Sequence, residues 1–337
     1  MMYRYHDSVP EFLQAFAETS IMTRLRNVGM NCGCEYTSFP RFQNLSPYSR
    51  FDHSMGVALI VWHFTQDKVQ TIAGQMHDIA TPVFAHVVDF MRGDYLKQEA
   101  TEESTREMIE SSEELQRLLK HHGLTTDDVC DYHMYPVADN ESPRLSADRL
   151  EYTMGNSVNF GFCGEDEIRQ IYDDLVVGTN EDGQPELMFK SRQAAERFAD
   201  LSLQCSKVYV SDEARYSMQM LSEILALAVR NRVIEESDLY LTEPEVIAKL
   251  VASDKTGRLW NNYRAYSGIV RATSPDDDPG WRQIVAKKRY IDPMVQNVGR
   301  VSGFSHAFGD ALSDYLATTF EYWCRGSRKE ASGKEPL

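Results

Sequence analysis

Four side chains of this sequence, His53, His77, Asp78 and Asp148, are of the types that can share one cation. Two imidazoles and two carboxylates form a borderline-hard donor set suited to Mn, Fe, Ni or Zn, and the lack of a thiolate argues against a closed structural zinc site. Four protein ligands leave room in an octahedral shell for water and a substrate phosphate oxygen. That arrangement lowers the pKa of a bound water and orients a phosphorus centre for attack. A His-Asp pair alone carries little weight, because composition yields roughly one such dipeptide by chance, and His6-Asp7 is a second copy with no partner histidine before it. Context separates His77-Asp78. It closes a helix that can pack antiparallel to the helix carrying His53, and Asp148 opens or lines a third.

The elements that must position these groups are read from apolar spacing. Phe12, Leu13, Phe16, Ile21, Leu25 and Val28 suggest two short helices around Thr19-Ser20, followed by a loop with Pro40 and Pro47. Met55, Leu59, Ile60 and Trp62 mark a helix from Asp52, and Val69, Ile72, Ala73 and Met76 mark another, ended by Thr81-Pro82. Helices are also expected over Glu103–Leu119, Ser146–Asn156, 190–230, 243–272 and 307–324. The two apolar runs flanking Asn180-Glu-Asp-Gly183 predict a β-hairpin within 175–189. Thr273–Gly280, rich in Pro and Asp, reads as a surface loop. The fold class is therefore mainly α with a minor hairpin: a core at 1–160, a helical extension at 161–325, and a tail at 326–337 too polar to pack.

Composition limits the function classes. The chain has 337 residues, 42% of them hydrophobic and 26% charged, values of an ordinary globular protein, and no stretch approaches the ~20 apolar residues that span a bilayer. We expect a soluble, cytoplasmic protein with no membrane partner, its N-terminus lacking the apolar run of a signal peptide. The six cysteines, Cys32 and Cys34 in a C-x-C and the rest alone, form neither a disulfide framework nor a paired zinc site, and read as inert thiols. A net charge of −16 argues against non-specific nucleic-acid binding. A few cations converging in a cleft can still bind one small phosphorylated molecule.

Three stretches carry a resemblance: Arg50-Phe-Asp-His-Ser-Met-Gly-Val57, His77-Asp-Ile-Ala-Thr-Pro-Val-Phe-Ala-His86, and Asp148 with Tyr152. They resemble the HD superfamily of metal-dependent phosphohydrolases and, within it, the deoxynucleoside triphosphate triphosphohydrolases. The likeness spans about residues 19–160, with Met22–Asn27 resembling an Arg-Leu-Arg segment of the family. Leu187–Arg192 resembles the strand-to-helix passage after its core. The resemblance implies that His53, His77, Asp78 and Asp148 ligate one divalent ion, that Arg50 and Tyr152 contact substrate, and that His86 and Asp89 lie near the attacked phosphate. Thr81 stands where the family carries an acid/base residue, and Thr101-Glu102 where it carries a His-Glu pair. Since threonine shuttles no proton near pH 7, either His86 supplies that function, the leaving group needs no acid, or the chemistry is weakened.

The expected activity is hydrolysis of a phosphoester or phosphoanhydride bond, with a nucleotide as leading substrate, by metal-activated water. Two rivals stand beside it: a non-catalytic scaffold whose metal orders a nucleotide-binding pocket, and a nucleoside monophosphate phosphatase. A homo-oligomer is open. His121-His122 reads as a helix C-terminus rather than a second metal site, Lys287-Lys-Arg289 as a solvated face with a phosphate contact as the alternative, and Arg50 has pairing with a structural carboxylate as its alternative. His63, His133 and His306 receive no role.

Overall fold

The computed structural model describes residues 5–93 and 104–328. Thr101-Glu102 and the tail beyond Arg328 lie outside these residues. Two short helices, α1 (Glu11–Ala17) and α2 (Ser20–Arg24), break at Thr19 as the apolar rhythm predicts. Ser49 and Asp52 then close a reciprocal capping box that starts α3 (Arg50–Thr65), satisfying backbone donors that would otherwise be orphaned. Asp67 accepts from the amides of Val69 and Gln70 and so starts α4 (Lys68–Met76). This helix ends at Met76 with His77 as its C-cap, so the His-Asp pair sits on a turn and not inside the helix.

The chain continues through α5 (Val87–Arg92), α6 (Thr105–Ser111), α7 (Glu113–His121), α8 (Ala147–Asn159) and α9 (Glu165–Asp173). Ser146 caps α8 by accepting from the Arg149 amide. The hairpin forms as expected from β1 (Leu175–Thr179) and β2 (Pro185–Phe189). The expected 190–230 helix is two, α10 (Arg192–Tyr209) and α11 (Asp212–Arg230), divided at Ser211, which caps the second. The expected 243–272 helix is also divided, into α12 (Glu243–Ala252) and α13 (Asp254–Arg264), and its last residues form a strand, β3 (Gly268–Ala272).

Two short strands follow, β4 (Met294–Val295) and β5 (Gly299–Arg300), then α14 (Val301–Phe304), α15 (His306–Ala317) and β6 (Trp323–Ser327). One sheet has the order β1-β2-β4-β5 and the other pairs β3 with β6. The expected 307–324 helix therefore stops early, and the strand after it enters the segment assigned to the tail. These strands escape sequence reading because their partners lie far away in the chain: Gly268 pairs with Ser327 and Met188 with Met294. Among the described residues the fold is mainly α with this small β component. Among the described residues the largest apolar core runs from Tyr5, before α1, to Phe320, so it crosses residue 160 without a break.

Candidate metal centre

Helix α3 presents His53 near its first turn, the turn after α4 presents His77 and Asp78, and the first turn of α8 presents Asp148, where the helix dipole favours a carboxylate. Close approach of α8 to α3 and to the loop before it depends on small residues. A side chain at Gly56 would come within 2.5 Å of Glu151, and one at Gly155 within 2.5 Å of the Tyr48 hydroxyl. Arg24 braces the turn from behind, donating to the Ile79 and Thr81 carbonyls at 2.9 Å each. Arg26, the other arginine of that segment, stacks 3.6 Å from the centre of the Phe51 ring.

The hydrogen bonds define what His53 and His77 offer. His53 Nδ1 lies 2.6 Å from Glu151 Oε2, and His77 Nδ1 lies 2.7 Å from the Gly74 carbonyl oxygen. Both partners accept, so each Nδ1 carries a proton and each Nε2 is turned to the other face as a possible ligand. The two Nε2 atoms stand 3.1 Å apart, and Asp148 Oδ1 is 3.0 Å from the first and 3.6 Å from the second. Ligand atoms ~2.1 Å from one ion and at right angles stand ~3 Å apart, so the three residues fit a divalent transition ion.

A proton competes for the same place. Burial disfavours the charged His53 ring, but its bonds to Asp148 and Glu151 outweigh this and raise its pKa to about 10. Burial would raise the Asp148 carboxyl, but its bond to His53 holds it down at about 2. An ion binding here displaces that proton.

Asp78 stands slightly back. Its Oδ2 is 3.6 Å from His77 Nε2 and 3.8 Å from His53 Nε2, and it accepts from Arg50 Nη1 at 2.9 Å. Its Oδ1 accepts from Thr81 Oγ1 at 2.8 Å. Thr81 thus holds a carboxylate where the family resemblance places an acid/base group. Arg50, read from sequence as a substrate contact, is a partner of Asp78, while its Nε has no hydrogen-bond partner among the described residues.

These groups line a cavity of about 400 Å³ together with His86, Tyr152, Tyr132, Phe160 and Tyr209. His86 Nδ1 lies 2.9 Å from Asp89 Oδ2. Asp89 is fully buried and does not line the cavity, so its carboxylate reaches the cavity only by way of His86. The loop before His86 is strained, with Phe84 and Ala85 at φ 58° and 46°, a conformation that persists only where the surroundings impose it. The C-terminal half imposes it: Val83 N donates to the Leu239 carbonyl at 2.8 Å, and Phe84 N to Glu243 Oε1 at 3.1 Å. Burial lowers the His86 pKa; the Asp89 bond opposes this, and the charges of Arg289 and Arg50 reinforce it. Burial pushes the Tyr152 hydroxyl up to about 12, keeping it a neutral donor.

Sequence reading missed several groups. Glu151 orients His53, and its signal was the Asp-x-x-Glu spacing, which puts both carboxylates on one face of α8. Lys287 and Arg289, read first as a solvated face and only second as a phosphate contact, line the cavity, as do His133 and Arg149. Cys32 and Cys34 also line it, but burial pushes the Cys32 thiol to about 11 and raises that of Cys34, so both stay protonated as expected for inert thiols. His122 packs against Phe16 and Phe12, and among the described residues the exposed His121 meets only the His122 ring; neither lines the cavity. Among the described residues no helix is long and apolar enough to cross a membrane.

No family model matches the chain. It is 28% identical over 250 residues to the uncharacterized protein YdhJ of Bacillus subtilis, covering 73% of this chain and 74% of that protein. It is 24% identical over 182 residues to the metal-dependent phosphohydrolase cns2 of Cordyceps militaris, covering 51% of this chain and 48% of that protein. The fold matches the crystal structure of a phosphohydrolase from Bacteroides thetaiotaomicron, with a TM-score of 0.62, 13% identity, and 96% and 97% of the two chains covered. A mainly helical fold shared with a phosphohydrolase, and a His53/His77/Asp148 cluster fitted to a divalent ion, are what this chain brings to the question of function.

Proposed function

We propose that the chain is an HD-type metal-dependent phosphohydrolase, its HD motifs lying within residues 1–160, that cleaves a phosphoester or phosphoanhydride bond of a small phosphorylated molecule, with a nucleotide as the leading substrate. The observation that carries this reading is the approach of two imidazole Nε2 atoms to 3.1 Å, each ring oriented by an acceptor on its far side. When bound, the ion supplies Lewis acidity and lowers the pKa of water at neutral pH.

The protein's own groups do the rest. His53, His77 and Asp148 hold the ion, with Asp78 beside them, kept ionised by Arg50. Arg50 also offers its remaining donors to a phosphate oxygen. The neutral Tyr152 hydroxyl donates to the substrate. His86 faces the cavity with Asp89 fixing its tautomer, and its lowered pKa leaves it unprotonated at pH 7, ready to take a proton. Tyr132, Phe160 and Tyr209 line the same cavity and support the nucleotide reading, because aromatic faces stack bases. The six cysteines are all outside disulfides, which accords with action in the cytosol.

The test is turnover of a nucleotide and phosphomonoester panel by Mn-, Fe-, Ni- or Zn-loaded protein, with separate detection of phosphate and tripolyphosphate. Tripolyphosphate release would place it with the deoxynucleoside triphosphate triphosphohydrolases, and phosphate release with the monophosphatases. No turnover of any member by metal-loaded protein would sink the enzymatic reading and leave the nucleotide-binding scaffold.

A further inference from the structure

We infer that Glu243, at the start of α12 in the C-terminal half, is a positioning residue for the reaction: one of its carboxylate oxygens sets His86 against the helix that carries His53. This role rests on the phosphohydrolase reading, in which His86 takes a proton. Glu243 is 2% exposed, and three separate segments donate to it. Its Oε1 accepts from Gly29 N at 3.0 Å and from Phe84 N at 3.1 Å, while its Oε2 accepts from Tyr36 Oη at 2.7 Å.

Both amides on Oε1 belong to segments that lead into the metal centre. Gly29 forms an antiparallel bridge with Ser49, flanked by bonds from Arg50 N to the Val28 carbonyl at 2.8 Å and from Met30 N to the Tyr48 carbonyl at 3.1 Å. Ser49 is the cap of α3, and His53 lies one turn further on. Phe84 stands two residues before His86. A single oxygen therefore joins the start of the helix that bears a metal ligand to the loop that presents the proton acceptor.

The loop needs such a hold. Phe84 and Ala85 have φ of 58° and 46°, a region that residues with side chains leave when their surroundings allow it. The Ala85 amide is bonded within the loop, to the Pro82 carbonyl at 3.0 Å, whereas the Phe84 amide is bonded to Glu243. Without that acceptor a buried donor is left unmade and the loop gains by relaxing. A change in the sign of φ at two successive residues redirects the chain that follows, so His86 moves relative to His53 and His77.

The position supplies acceptor geometry rather than charge. A side-chain carbon at Gly29 would fall 2.1 Å from Glu35 Oε1 and 3.5 Å from Glu243 Oε2, so two carboxyl groups crowd one glycine. Burial and the charge of Glu243 push the Glu35 carboxyl up to about 8, and burial also raises that of Glu243. A negative charge is disfavoured here, yet two amides need an oxygen. Glutamine provides one at the same reach, and its amino group can donate to Tyr36 Oη, which turns to accept. Aspartate keeps the charge but stands one methylene short.

The test compares Glu243→Gln with Glu243→Asp in the full-length Mn-loaded chain, on the nucleotide of the panel that wild type turns over. Glu243→Gln should keep kcat within about threefold, whereas Glu243→Asp should lose about tenfold in kcat with KM within about twofold, as expected when a reacting group is misplaced. Ion content should be unchanged in both. His86→Ala/Glu243→Asp should be no slower than His86→Ala alone, because a residue that acts through His86 has nothing left to position. Wild-type kcat in Glu243→Asp, a loss in Glu243→Gln as large as in Glu243→Asp, or losses that multiply in the double variant would overturn the role. Crystal structures of the two variants read the same role without turnover: the Phe84–His86 loop should shift in Glu243→Asp and stay in Glu243→Gln, and an unmoved loop in Glu243→Asp would also overturn it. A protein that turns over nothing would sink the phosphohydrolase reading while leaving the loop geometry to be decided by those structures.

Discussion

The floor of the cavity and its rim are built in opposite ways. The floor is assembled from helix ends: His53, His77 and Asp148 come from α3, the turn after α4, and α8, all buried or nearly so, and each imidazole is oriented by a partner. The rim around Lys287 and Arg289 is a segment outside helices and strands, anchored by backbone bonds, with its cations reaching water. Rigid helices suit a site that must hold an ion to a few tenths of an ångström. The strained loop before His86 lies between these extremes, being held by the C-terminal half while it serves the N-terminal one.

Breaking the floor should give the largest effects. His53→Ala or Asp148→Ala should abolish the roughly one tightly bound ion per chain expected from elemental analysis. Turnover should fall on the order of 10³-fold or more, since even one lost electrostatic donor costs ~10²–10³. Full ion content in either variant would disprove the assigned ligands. The fold should survive, because the core extends well beyond the site.

His86→Ala tests the region between floor and rim. It should keep the ion and the melting temperature but lose ~10²-fold in kcat, within the range for a positioned proton-transfer group. Unchanged kcat in folded, metal-loaded protein would remove His86 from the mechanism. The direction of its pKa shift also sets a pH dependence. A His whose folded pKa lies below its usual value remains a base further into acid, so kcat/KM should hold as pH falls below 6.5 and decline only when His86 becomes protonated. A decline beginning above 6.5 that is lost in His86→Ala would contradict the sign.

Glu151→Gln sharpens the floor. The amide can still accept from His53 Nδ1 but lacks the charge, so ion affinity should drop ~10-fold, the lower end for groups behind a ligand. Because an ion must displace the proton held on His53, affinity should rise with pH up to about 10 in wild type. A flat pH dependence of affinity would contradict that competition.

The smallest effect is expected at Thr81. Thr81→Val keeps the shape and removes one hydrogen bond to Asp78, a change of ~1 kcal/mol, so a few-fold loss in kcat/KM is expected. Thr81 is 1% exposed, so Thr81→His, harmless if the position only lacked an acid/base group, should instead disturb the Asp78 turn. Higher activity in Thr81→His would restore the sequence-based view.

Much of this site was legible in the residues. His53, His77 and Asp148 stood out because helix caps and apolar spacing are local, and local spacing decides which side chains share a helix end. The hairpin was legible for the same reason, its two strands being joined by a turn. What depends on distant partners was not. Glu151 gains its role only because Gly56 lets α8 approach α3, Thr81 because Asp78 turns toward it, and Glu243 because α12 packs on the Phe84 loop. The β3–β6 and β2–β4 pairings likewise need contacts far apart in sequence. Lys287 and Arg289 looked like a solvated face because charge runs usually are, and only the fold brings two of the three cations to the lining of the cavity. The sequence by itself determined the chemistry on offer and the local elements that carry it; the tertiary structure decided which groups meet, because that depends on packing between segments that no local pattern encodes.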